Sequence, residues 1–167
     1  MNKNILLFLM IIAYSIPISY VCFYYNCNCS ITHIISDNIV IFVFMIFMGL
    51  FTILYEIERN DFYSLFFISL LLIGIYGVIL YNSNHSFHYY FAYLCFISML
   101  LFMIYNSFVI YDSFVIYDSF LFLLLLLECI LLILLFIKYN NDEFIHIESV
   151  YITLFAIFYI YLHVISI

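Results

Sequence analysis

Charged residues are scarce in this chain, and their scarcity excludes an ordinary soluble fold. Of the 167 residues, 8% are charged and 70% are hydrophobic, and the mean hydropathy is +1.29. A soluble domain carries about 25% charged residues, so this chain has too little polar surface to face water. Only three Lys and Arg residues stand against ten Asp and Glu residues. The chain therefore lacks the basic clusters that bind nucleic acid or anionic lipid surfaces.

Glycine and proline are also rare, and catalytic motifs are missing. The chain has three Gly, one Pro and no Trp. It contains no Gly-rich phosphate loop, no G-x-S-x-G elbow and no H-E-x-x-H motif. These absences favour a non-enzymatic protein, and the sequence predicts no cofactor.

Long apolar runs fill the chain instead. A hydrocarbon core of about 30 Å needs roughly 20 helical residues, and several runs reach that length. We predict an all-α polytopic transmembrane helix bundle that forms one integral membrane domain over residues 1–167. The six predicted helices cover about 5–25, 38–55, 62–81, 87–105, 120–137 and 144–166.

The orientation follows from three basic residues. With six crossings, Lys3 and Arg59 lie on one side of the membrane and Lys138 lies on the other. The positive-inside rule then places both termini in the cytoplasm. The only two N-x-S/T sequons, at Asn28 and Asn84, lie on the opposite side. They are the candidate glycosylation sites.

Most residues capable of site chemistry fall on the predicted external face. They are Cys27, Cys29, His33, Asp37, His85, His88, Asp142, Glu143, His146 and Glu148. If this face is in an oxidising compartment, Cys22 can pair with Cys27 or Cys29. The alternative is that these cysteines are unpaired small residues.

Two histidines in H-x-x-H spacing suggest a metal site. Together with His146 and Glu148, His85 and His88 would supply the imidazole and carboxylate ligands that zinc uses. A metal-activated water could then cleave a lipid ester or amide. The alternative is that the histidines anchor helix ends or contact lipid head groups.

Glu128 is the one acidic residue deep within an apolar run. A carboxylate in mid-membrane is costly and indicates a functional site, such as one that binds a cation or relays a proton. The alternative is a protonated acid with a raised pKa, hydrogen-bonded to a Ser or Tyr of a neighbouring helix.

A perfect tandem hexapeptide follows the fourth predicted helix. The two copies of S-F-V-I-Y-D occupy 107–112 and 113–118. Two copies are too few for a repeat fold, so we interpret them as a local duplication in a loop.

The order of elements over residues 1–111 resembles a known family. The motif Ile35–Asp37 lies in the first external loop, a charged cytoplasmic turn and a Gly-bearing third helix follow, and His88 opens the fourth helix. Ala92, Phe96 and Tyr105 complete the pattern. This resembles the six-pass damage-regulated autophagy modulator, Frag and Sfk family. The resemblance implies membrane-lipid handling or recruitment of a partner, with Asp37 and His88 as an external-face pair.

Three function classes remain open at this stage. The first is a non-enzymatic integral membrane protein that organises lipids or recruits other membrane proteins. The second is a small structural or accessory membrane protein, such as a viral envelope component. The third is a lipid hydrolase or small transporter that uses the external histidines or Glu128.

Overall fold

The computed structural model describes residues 3–24, 38–81, 85–113, 119–137 and 144–165, and within them all regular structure is α-helical. The described elements are α1 (Lys3–Tyr24), α2 (Ile39–Arg59), α3 (Phe62–Leu80), α4 (Ser86–Ser113), α5 (Ser119–Ile137) and α6 (Phe144–Ile165). The all-α prediction is confirmed, and each predicted helix has a counterpart at its expected place in the chain.

Five of the helices in the described part are long and apolar enough to cross a membrane. These stretches are Ile39–Arg59, Phe62–Leu80, Ser86–Phe108, Ser119–Ile137 and His146–Val164. In α1 the corresponding apolar stretch, Asn4–Tyr20, is shorter. A membrane crossing by α1 therefore stays a prediction.

Two helices continue further than predicted. Instead of ending near Tyr105, α4 runs to Ser113 and includes the whole first hexapeptide copy. The interpretation of that copy as a loop was wrong. The copy contains no Pro or Gly, so nothing in it stops the addition of further helical hydrogen bonds. Similarly, α2 continues past Tyr55 to Arg59, because Glu and Arg are good helix formers.

The turn between α2 and α3 is only two residues long. Asn60 ends α2 in the left-handed conformation, with φ 61° and ψ 35°, and its N–H bonds to the carbonyls of Glu56 and Ile57. Asp61 then caps α3. Its Oδ1 accepts hydrogen bonds from the backbone N–H groups of Tyr63 and Ser64, the latter at 3.2 Å. A left-handed residue at the end of a helix and an Asp before its start both satisfy backbone groups that have no partner within the helix. These two residues therefore join α2 and α3 in a tight hairpin.

The described chain divides into two compact units, Met1–Cys95 and Phe96–Ile167. In the first unit, α1 packs on α2, and α2 packs on α3. Gly74 lets α3 approach α4 closely, since an added Cβ would lie 2.8 Å from the backbone N of Cys95. Gly77 meets the ring of Phe91 in the same way. The two glycines therefore allow α4 to lie close against α3.

In the second unit, aromatic rings fill the space between helices. Phe102 of α4 contacts Phe155 and Tyr159 of α6, with ring centroids 5.8 and 5.4 Å apart. The Oη of Tyr151 donates to the backbone carbonyl of Phe96 at 2.8 Å, and both residues are buried. This hydrogen bond joins α4 to α6 without a charged group.

Candidate functional sites

His88 fastens the end of α3 to the start of α4. Its Nδ1 lies 2.8 Å from the carbonyl oxygen of Tyr81, and the residue is buried. A carbonyl only accepts hydrogen bonds, so Nδ1 carries a proton, and in the neutral ring Nε2 is left as an acceptor. The backbone N–H of His88 also donates to the carbonyl of His85 at 3.0 Å. His88 therefore positions the α3–α4 turn.

His85 is exposed and has the opposite proton arrangement. Its Nδ1 accepts from the backbone N–H of Phe87 at 3.3 Å. In the neutral ring the proton is therefore on Nε2, which is left as a donor. The ring also stacks on Phe87, with centroids 5.3 Å apart and planes 15° apart. The two histidines of the H-x-x-H motif thus both cap backbone groups.

The other predicted ligands are not assembled into a metal site. His146 is exposed and Glu148 is half-buried near the start of α6. Across the described ranges, no three His, Cys, Asp or Glu side chains come together to hold a metal ion.

Several predicted site residues fall in the segments between the described helices. Asp37, Cys27, Cys29, His33, Asn28, Asn84, Asp142 and Glu143 lie outside the described residues, and of Cys22 only the backbone is described. The Asp37–His88 pair, the disulfide and the glycosylation sites stay predictions.

Glu128 lies at the midpoint of α5 and is 0% exposed. It belongs to the buried stripe of α5, together with Leu121, Leu124, Leu125 and Leu135. This spacing is that of one helix face, so a carboxyl group occupies a position where the rest of the stripe is leucine. Neither carboxyl oxygen has a hydrogen-bond partner among the described residues. An enclosed polar group in this state costs free energy.

A second polar cluster was missed by the sequence analysis. Arg59, at the end of α2, lies 3.6 Å from Oε2 of Glu56 and 3.7 Å from Oδ2 of Asp61. Its Nη1 also donates to the Oγ of Ser64 at 3.1 Å. The Glu56 side chain is fully buried, so Arg59 brings a compensating charge to an enclosed carboxylate. The three-residue spacings from Glu56 to Arg59 and from Asp61 to Ser64 were the signals available in the sequence.

The long apolar helices define the protein as a polytopic α-helical integral membrane protein. Comparison with family models, with curated proteins and with solved structures finds no match. The resemblance to the damage-regulated autophagy modulator, Frag and Sfk family therefore stays a prediction.

Proposed function

We propose that this protein is a non-enzymatic multi-pass membrane protein that organises membrane lipids or recruits other membrane proteins. One observation carries the proposal: the helices expose large apolar side chains and enclose the carboxyl groups of Glu56 and Glu128. On α5 the exposed side includes Leu126 and Ile133, the latter 59% exposed, while Glu128 is 0% exposed. Apolar surface of this kind is costly in water, at about 25 cal/mol per Å².

The resemblance described above supports the lipid-related part of the proposal, and the chemistry of the described sites is compatible with it. His88 and His85 each hold a backbone group of the α3–α4 turn. A histidine that fixes a turn contributes to a stable surface for lipid or protein. The chain's net charge of −7 disfavours nucleic acid as a partner.

The proposal is tested by expression of the tagged protein and fractionation of the cells. We expect it to stay in membranes after alkaline carbonate washing. We also expect a phospholipid or a membrane protein to remain bound, at constant stoichiometry, through detergent exchange. A chain that is released by carbonate, or that retains neither lipid nor protein, would contradict the proposal.

The orientation is tested separately. We propose that both termini are cytoplasmic, which places residues 138–143 on the external side. An epitope tag inserted in that stretch should be accessible to antibody on intact cells, or to protease in sealed microsomes with lumenal access. If antibody and protease fail to reach that tag but do reach a tag at the N-terminus, the orientation is the reverse of the one proposed.

A second candidate function is supported by Glu128. An enclosed carboxyl without a hydrogen-bond partner in the described chain is the kind of group that carries a proton or a cation. Proteoliposomes containing the protein should then show a proton or cation flux that is lost in Glu128→Gln. Equal flux in the variant and in the unaltered protein would remove this candidate.

A further inference from the structure

A group of aromatic and imidazole rings surrounds the α3–α4 turn. We name it the turn cluster and define it as Tyr81, His85, Phe87, Tyr90 and Phe91. Tyr81 is its centre, with its ring 5.3 Å from that of His85, 5.7 Å from that of Phe87 and 5.5 Å from that of Phe91. Tyr90 extends it through Phe87 at 6.3 Å.

The inner rings leave no room for a ligand between them. Tyr81, His85 and Phe87 form a closed triangle with centroid distances of 5.3–5.7 Å. Aromatic rings in direct contact have centroids about 4.5–7 Å apart, so the triangle is already packed. It is therefore not an aromatic cage for a cationic head group. Whatever binds must lie against its outer surface.

That outer surface is exposed and lies where two membrane-spanning helices end. Phe87 is 52% exposed and Tyr90 is 68% exposed. Tyr81 directly follows the spanning stretch that ends at Leu80, and Phe87 is near the start of the next one. Leu80 is itself 74% exposed, so the apolar surface of α3 continues into the cluster.

The exposed rings also carry polar groups. The side chains of Tyr81 and Tyr90 end in hydroxyl groups, and the neutral ring of His85 has its proton on Nε2. Rings with one apolar part and one hydrogen-bonding tip are favoured at the boundary between hydrocarbon and head groups. Trp, which commonly occupies that boundary, is absent from this chain.

We propose that the turn cluster is a phospholipid contact. Its rings lie at the level of the glycerol and head-group region, and its hydroxyl and Nε2–H groups donate to ester or phosphate oxygens. The proposal rests on the membrane function above and deepens it by naming the lipid-contacting residues. It commits to lipid as the occupant, because the cluster is continuous with the apolar surface of α3.

Two hydrogen bonds fix the described residues on either side of the turn without a lipid. His88 bonds to the carbonyl of Tyr81, and His85 caps the backbone N–H of Phe87. These bonds fix the backbone from which the rings project. The contact surface is therefore formed before a lipid binds, which lowers the ordering cost of the contact.

The absence of Trp allows a site-specific fluorescence test. In one variant Phe87→Trp places the chain's only tryptophan in the turn cluster. In the matched control Ile73→Trp places it on the exposed side of α3, well inside the span. Both proteins are reconstituted in phosphatidylcholine vesicles containing lipids brominated either near the glycerol or deep in the acyl chain.

We expect the tryptophan at position 87 to be quenched about twofold more by the shallow bromines than by the deep ones, and the control to show the reverse order. In the double variant that combines Phe87→Trp with Tyr90→Phe, the tryptophan emission should lie further to the red than in Phe87→Trp alone. The reason is that a hydroxyl group that holds the cluster against the head groups is lost. If Phe87→Trp does not fold, Tyr90→Trp is the reporter and carries the same expectation.

Three results would overturn the proposal in distinguishable ways. In the first result, the tryptophan at position 87 has the emission of tryptophan in water, while the control at position 73 is quenched by the deep bromines. This would show that the protein is in the membrane but that the cluster is not a lipid contact. A blue-shifted reporter that no brominated lipid quenches would show that protein, such as a second copy, covers the cluster. If lipid quenches neither reporter, the proposed membrane function itself fails.

Discussion

Replacement of Glu128 by leucine should make the protein more stable. In the structure Glu128 is fully enclosed within a leucine stripe, and neither carboxyl oxygen has a hydrogen-bond partner among the described residues. Leucine has a similar volume and continues the stripe. The substitution therefore removes an unsatisfied polar group without leaving a large cavity.

The size of the effect follows from the cost of that group. A buried polar group without a partner costs about 1–3 kcal/mol, so we expect Glu128→Leu to raise the free energy of unfolding by about that amount. Membrane insertion should also improve, because an acidic residue at a helix centre costs about 3 kcal/mol and leucine is slightly favourable there. Glu128→Gln serves as the matched control, since it retains a polar group of the same shape and should change stability by less than the leucine variant.

Stability can be measured in mixed micelles with increasing sodium dodecyl sulfate. The 18 Tyr and 21 Phe residues give a near-ultraviolet circular dichroism signal that reports tertiary packing. The transition midpoint of Glu128→Leu should move to higher detergent fraction. A midpoint shifted to lower detergent fraction would refute the reasoning, because it would show that the carboxyl group makes a stabilising interaction.

Three further substitutions test the packing and the polar contacts, all by the same unfolding measurement. Gly74→Ala should destabilise by about 1–3 kcal/mol, because its methyl group meets the backbone of α4. Arg59→Leu should destabilise by a similar amount, about 1–3 kcal/mol, because the enclosed Glu56 loses an ion pair. Tyr151→Phe should cost about 0.6–1.7 kcal/mol, because it loses one hydrogen bond between membrane helices and retains its ring.

Each of these substitutions has a control or a result that would contradict it. Gly49→Ala is the control for Gly74→Ala, because its methyl group meets only the ends of side chains, those of Tyr76 and Leu72, which can move, and no backbone atom. Equal losses in the two would show that backbone contact is not the cause.

For Arg59→Leu, a stability equal to that of the unaltered protein would show that the ion pairs contribute nothing. For Tyr151→Phe, a loss of stability no larger than that of the exposed Tyr90→Phe would show that the hydrogen bond contributes nothing.

The sequence by itself determined the class of protein and the places of the helices. Hydropathy is a local property, and in lipid each helix satisfies its own backbone hydrogen bonds. The helices α3, α5 and α6 consequently begin and end close to the predicted residues. The error at the end of α4 has the same origin, because the Phe, Val and Ile of the hexapeptide were taken as part of a loop although no helix breaker follows them.

Only the tertiary structure decided which polar residues meet. The sequence indicated His88 and Glu128, but not the carbonyl that His88 contacts or the enclosure of Glu128. The groups that meet around Arg59 were not predicted at all. Helices in lipid associate through side-chain fit and a few hydrogen bonds, and hydrophobicity does not distinguish one partner from another. The contact of Gly74 with Cys95 shows the consequence, since the sequence indicates a small residue but only the packed helices reveal what lies against it.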